Sequence, residues 1–194
     1  MLKKIMMLVA CMVLFLTSMG RAADPDDPVV VLQTTDGDIY LRLFPSVAPK
    51  ACENFLALTR KGYYKNTIFH RVIKGFMIQG GDPSGTGTGG LSIWGNGFED
   101  ELSPDRSFDK PGVLAMANSG PDTNNSQFFI TTGPAPWLNL KHTIFGEVIA
   151  GEDVVRVIEY GDTGRGDRPL KPAKIMRAYV EGDMEADTAE DSGE

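Results

Sequence analysis

The sequence predicts a mainly β protein, a closed β-barrel with helices covering its ends. Three observations predict it. Many short runs rich in β-branched and aromatic residues are spread along the chain. Only two segments carry apolar residues at helical spacing. Twenty-two Gly and twelve Pro in 194 residues suit a turn-rich barrel better than a helical bundle. The length predicts one domain with tails, large enough for a real core. Apolar residues at 42% and charged residues at 23% are ordinary for a globular protein.

The elements follow in order. Val29 to Gln33 is β-rich, Asp36-Gly37 is a hairpin turn, and Ile39, Leu41 and Leu43 alternate on one face of the next strand. Pro49 suits a first helical turn; Ala51, Cys52, Phe55 and Leu58 fall at helical spacing, and Gly62 ends the helix. Thr67 to Ile73 and Phe76 to Gln79 read as strands. So do Val113 to Ala117 and Gln127 to Thr131, on either side of the polar loop NSGPDTNNS. Thr143 to Val148 is another strand, Asp153 to Ile158 a short helix ending near Gly161, and Lys174 to Val180 the last strand. There is no internal repeat and no interdomain linker.

The two ends differ from the middle. Lys3 and Lys4 precede an apolar run from Ile5 to Leu16, and small residues follow near Ala22. That pattern predicts a signal peptide over residues 1–22, hence export, with no stable membrane anchor once it is cleaved. Its removal takes the net charge from −7 to −10. Residues 181 to 194, EGDMEADTAEDSGE, hold seven acids and no base, so an acidic disordered tail is expected over 182–194. No basic stripe exists to displace counterions, which disfavours nucleic acid as a partner. Without the leader only Cys52 remains, so no intramolecular disulfide forms, and its place on a helix suits a small buried hydrophobe. His70 and His142 are too few for a metal cluster.

One stretch asks for more than packing. FHRVIKGFMIQGGD, residues 69 to 82, is two short apolar runs that carry Arg71 and Gln79 among Phe69, Phe76 and Met77. Long polar side chains on half-buried strands suit a shallow site for an apolar ligand with one amide. GTGTGG, residues 85 to 90, is not a phosphate loop, because no Lys-Ser/Thr follows and no helix opens behind it. Its glycines suit a sharp turn or a close backbone approach. Asn124-Asn125-Ser126 matches a glycosylation sequon inside the loop assigned to the site, so occupancy is expected to be low. No paired nucleophile and base is visible, so a reaction here should need neither covalent attack nor a metal.

Phe69-His70-Arg71 with Gly75 to Asp82 resembles the cyclophilin family of peptidyl-prolyl cis-trans isomerases. So do Met116-Ala117-Asn118, Ser126 to Ile130, and Trp137-Leu138 with Lys141-His142. Order and spacing match over roughly residues 29 to 180, and the domain is placed at 28–181. The resemblance implies an eight-stranded antiparallel barrel capped by two helices, a site on one outer face, and no cofactor. It implies that Arg71 is the catalytic residue. Phe76, Met77, Phe129 and Leu138 would form the proline pocket, with Gln79 and His142 orienting Arg71 and the peptide. Asn118 would bind the substrate backbone through its main chain, Ala117 and Gln127 would complete the substrate site, and Trp137 would border the pocket and favour cyclosporin. The expected partners are proline-containing polypeptides and cyclosporin, and the expected state is a monomer.

Asn125 stands where the family often has Gly, Asn139-Leu140 where it often has Asp-Gly, and Ser119 where Ala is frequent; these bear on substrate preference. The expected function is rotation about X-Pro bonds to assist the folding of exported proteins. The alternative is a proline-peptide-binding chaperone or effector module with incidental turnover.

Overall fold

The computed structural model describes residues 27–183; the expected signal segment and residues 184–194 of the expected tail lie outside it. Eight strands and two α-helices follow one another as β1 (Val29–Thr34), β2 (Gly37–Leu43), α1 (Pro49–Arg60), β3 (Arg71–Ile73), β4 (Met77–Gly80), β5 (Val113–Met116), β6 (Phe128–Thr131), β7 (Ile144–Ala150), α2 (Glu152–Tyr160) and β8 (Ile175–Val180). The strands form one antiparallel sheet in the order β3-β4-β6-β5-β7-β2-β1-β8.

The expected barrel is present, but its closure is partial. The two edges of the sheet meet through one bridge, Ile68 opposite Lys174, and through bonds from Asn66, Phe69 and Ile175 backbone N–H groups to carbonyls at Ile175, Ala173 and Thr67. The strand expected over Thr67 to Ile73 is regular only from Arg71. Beyond Ile175, β8 stays paired with β1 and packs beside α1, and its ladder does not run on to β3. The sheet is thus a curled barrel with a seam.

Period-two alternation sorts the side chains onto two faces. Leu32, Leu41, Ile78, Leu114, Phe128, Ile130 and Phe145 point inward, with Phe55 and Tyr64 among them. Phe55 packs edge-on to Phe128 with ring centres 5.3 Å apart. Helix α1 covers this core with Ala51, Cys52, Phe55 and Leu58, and burial pushes the Cys52 thiol up to about 12, so it is an inert packing group. The helix has no side-chain cap of its own. The Glu101 carboxylate accepts from the Lys50 and Ala51 backbone N–H groups at 3.0 and 2.9 Å, satisfying two orphan donors from 50 residues away.

The outer face of β4, β5, β6 and β7 is not solvent-facing. Met77, Val113, Ala115, Phe129 and Ile144 form a second apolar cluster there with Phe108 and Ala135. This cluster is the floor on which the site stands.

Candidate active site on the outer face of the sheet

Strand pairing brings the site together. Arg71 lies opposite Gln79, Gln79 opposite Phe129, and Phe129 opposite Ala115. One cross-strand row therefore sets Arg71, Gln79 and Phe129 side by side on the outer face. A one-residue slip of β3 would turn Arg71 into the core. Val72 and Ile78, the buried neighbours of the row, hold that register.

The groove above this row has a volume of about 670 Å³, within the range of small-ligand sites. Of the residues singled out in the sequence, Arg71, Phe76, Met77, Gln79, Ala117, Asn118, Gln127, Phe129, Leu138 and His142 all line it. Trp137 does not. It is 56% exposed at the rim and its ring leans on Phe76 at 5.5 Å. Phe76, Met77, Phe129 and Leu138 make one apolar hollow, and Phe129 stacks on buried Phe108 at 5.8 Å.

The polar side chains are tied in place by specific bonds. Gln79 Nε2 donates to Gln127 Oε1 at 2.9 Å, and no hydrogen bond joins Gln79 to Arg71, so Gln79 stands beside the guanidinium without gripping it. Gln127 Nε2 in turn donates to the Gly87 and Gly89 carbonyls at 3.1 and 2.8 Å. Asn118 Nδ2 donates to Asp100 Oδ1 and to the Lys141 carbonyl at 3.3 and 3.1 Å, leaving its main chain for a ligand. His142 Nδ1 lies 3.1 Å from the Met116 carbonyl, and the ring stands edge-on to Phe129. A carbonyl only accepts, so Nδ1 carries the proton and Nε2 is the ring nitrogen left for a ligand.

Several wall residues were not assigned to the site from sequence. Arg165, Gly166 and Arg168 line the groove from a hairpin after α2, and Asp167 at its tip pairs with Arg71, Oδ2 to Nε at 3.4 Å. Gly164–Arg165–Gly166–Asp167 reads as a turn, but nothing in one dimension places it beside a strand almost a hundred residues earlier. His70 and Thr86 also line the groove. Burial holds the His70 imidazole below its usual range; the Asp82 charge opposes it, and the smaller contributions of Arg168 and Arg71 act with burial.

The glycine loop wraps an anion, and that anion belongs to the protein. Asp82 is fully buried and accepts from the Ser84, Thr86, Gly87 and Gly89 backbone N–H groups at 2.8, 3.1, 2.7 and 3.2 Å. A side chain at Gly89 would collide with this carboxylate. Burial alone would raise the Asp82 pKa; hydrogen bonds from the Ser84 side chain and from the Ser84, Gly89 and Gly87 backbone outweigh it and bring it to about 2. The loop thereby becomes a rigid wall carrying Thr86 and Gly87. The sequon has a similar fate. Asn124 is fully buried, with Nδ2 donating to the Phe98 and Glu99 carbonyls and to Asp100, so the nitrogen a glycan needs is committed.

Comparison with known proteins agrees with this geometry. Residues 29–180 match the family model described as cyclophilin type peptidyl-prolyl cis-trans isomerase/CLD. The chain is 60% identical over 162 residues to peptidyl-prolyl cis-trans isomerase 9 of Schizosaccharomyces pombe, covering 84% of this chain but only 25% of that protein. It is 54% identical over 165 residues to human peptidyl-prolyl cis-trans isomerase-like 1, covering 83% of this chain and 99% of the relative. A crystal structure of a Cryptosporidium parvum cyclophilin type isomerase superposes with a TM-score of 0.79 at 46% identity, over 81% of this chain and 99% of that one. The same protein crystallised in the presence of the dipeptide Ala-Pro gives 0.77 at 46% identity, over 80% and 99%. An outer-face groove with an arginine beside an apolar hollow, on this sheet and with these relatives, places the chain in the family of cyclophilin type peptidyl-prolyl cis-trans isomerases, enzymes that act on X-Pro peptide bonds.

Proposed function

We propose that the groove isomerises X-Pro bonds with Arg71 as its catalytic residue, in the service of folding exported proteins. The observation that carries this reading is the row Arg71, Gln79, Phe129, which sets a cation beside an apolar hollow. Rotation about an X-Pro bond faces a barrier of roughly 18–20 kcal/mol because amide resonance must be broken. Twisting localises the lone pair on the proline nitrogen. A donor aimed at that nitrogen helps only in the twisted state, which is what lowers a barrier. Asp167 engages Nε, the stem nitrogen of Arg71, and so leaves the two terminal amino groups for the substrate.

The size of the task sets the division of labour. Bringing tens of seconds to milliseconds is about four decades, roughly 5.5 kcal/mol. One charged hydrogen bond supplies about 1.5–3 kcal/mol. The apolar hollow of Phe76, Met77, Phe129 and Leu138 supplies the rest by holding the proline ring in place beside the guanidinium. Asn118 offers its main chain to the peptide, while Ala117, Gln127 and His142 line the groove with it. NMR exchange spectroscopy on a short Ala-Pro peptide tests the reading: cis and trans signals exchange fast with catalytic chain present. Tight peptide binding without exchange would put a holding module in its place.

Cyclosporin binding to the same groove, with Trp137 at its rim, belongs to this proposal, as does a monomeric state. So does export directed by residues 1–22, on the strength of the Lys3-Lys4 start and the apolar run behind it. Fusing residues 1–22 to a reporter tests that directly: the reporter leaves the cell and loses the segment, and a reporter retained in the cytoplasm contradicts it.

A further inference from the structure

The chain carries a net charge of −7, yet the residues that line its groove include Arg71, Arg165 and Arg168 and no Asp or Glu. The three arginines share one wall. The other polar lining residues, Gln79, Thr86, Asn118, Ser119, Asn125 and Gln127 with His70 and His142, include no carboxylate. We propose that the arginine wall is a subsite for an anionic side chain, a carboxylate or a phosphomonoester, carried by a residue beside the proline. The proposal deepens the X-Pro reading of the groove and rests on it.

The three cations are not equivalent. Arg71 is engaged through Nε by Asp167 at 3.4 Å. Arg168 donates through Nη1 to the Gly85 carbonyl at 2.5 Å, which binds the hairpin to the glycine loop. Arg165 has no hydrogen bond or ion pair among the described residues, and it is the guanidinium held ready for a ligand. The backbone that carries it is fixed all the same. The hairpin is rooted by the Thr163–Pro169 bridge, by the Gly164 N–H to the Arg168 carbonyl at 2.8 Å and by the Leu170 N–H to the Asp162 carbonyl at 2.8 Å. Gly166 and Asp167, at φ 72° and 59°, fold its tip back.

Chemistry favours an anion here over a polar neutral group. A guanidinium is weakly hydrated and planar, with a donor fork that matches carboxylate and phosphate oxygens two at a time. Asp167 is the one carboxylate at the hairpin tip, and it faces Arg71, so the wall stays net positive. A lysine side chain in the peptide would meet this wall with like charge, and discrimination follows from both signs.

The test compares peptides of one Ala-Pro host that carry Ala, Glu, Lys or phosphoserine at the residue before or after the dipeptide. The full chain is used, with kcat/KM from NMR exchange and Kd from titration of the same spectra. At one of the two positions the Glu-to-Lys ratio should be about tenfold, since an exposed pair is worth up to about fivefold and the like-charge pair opposes by a similar amount. Arg165→Glu should bring that ratio below one. Lys171→Glu changes net charge equally from an exposed position outside the groove and should leave it in place. Each ratio is taken within one protein, so a loss of folded material cancels. A phosphoserine peptide that outruns Glu identifies a phosphomonoester as the preferred source, and equality identifies a carboxylate; both support the subsite. A wild-type ratio near one at both positions, or a ratio that survives Arg165→Glu, overturns it. If no peptide is turned over, the isomerase reading fails, and the Kd ratios still decide the subsite.

Discussion

Asp167 holds Arg71 by the stem. Its carboxylate lies 3.4 Å from Nε, and the two side chains are 47% and 44% exposed. The pair joins a hairpin tip to a strand 96 residues away in sequence. An arginine with a free stem samples many rotamers; one fixed at Nε presents its terminal fork in fewer directions.

That relationship predicts a modest, readable effect. An exposed pair is worth about 0.2–1 kcal/mol, so Asp167→Ala should lower kcat/KM by up to about fivefold, mostly through kcat. Asp167→Asn should fall between, because an amide oxygen still accepts from Nε. Steady-state rates on one neutral proline peptide check it. A rate that rises in Asp167→Ala would mean the carboxylate restrains Arg71 instead of aiming it.

Asp82 should set the acid stability of the groove wall. Its carboxyl is held at about 2 in the fold against an ordinary 3.8 when unfolded. A depressed pKa stabilises the fold above the unfolded value, and that contribution is lost as pH falls from about 4 through about 2. The difference corresponds to roughly 2 kcal/mol. Asp82→Asn should therefore be less stable than wild type at pH 7, and the gap should narrow across pH 4 to 2 in urea unfolding curves. A gap independent of pH would show that the hydrogen bonds do not favour the ionised form.

Trp137 should report occupancy without forming the floor of the site. It leans on Phe76 at the rim and is half exposed, while Trp94 packs against Phe98 outside the groove lining. Adding cyclosporin should shift the emission as Trp137 leaves water, and Trp137→Phe should abolish the shift and weaken binding by about tenfold, in line with loss of an aromatic anchor. An unchanged shift in Trp137→Phe would assign it to Trp94 and contradict the rim position.

Much of this architecture is legible in one dimension because two periods dominate it. Leu32, Ile39, Leu41 and Ile78 alternate with outward residues, and Ala51, Cys52, Phe55 and Leu58 follow a helical stripe, so the strands and helices read directly. Arg71 and Gln79 stand out because they break the pattern that packing alone would give, whereas Phe129 is apolar in an apolar strand and only the family resemblance points to it. What stays hidden is whatever long-range pairing creates. Arg165, Asp167 and Arg168 sit in a turn whose composition speaks only of a turn. Phe108, the support beneath Phe129, lies in a stretch with no period. The seam between Ile68 and Lys174 depends on how far a three-residue β3 can pair, and no local propensity encodes that.

The most direct test of the account is exchange spectroscopy on an Ala-Pro peptide with wild type, Arg71→Lys and Arg71→Ala. A charged hydrogen bond of about 1.5–3 kcal/mol predicts a loss of about ten- to about hundredfold in kcat/KM for Arg71→Ala, with peptide Kd nearly unchanged. Arg71→Lys should lie between, since it keeps the charge and loses the fork. Wild-type exchange rates in Arg71→Ala would contradict the central role of this guanidinium and leave the apolar hollow as the source of catalysis.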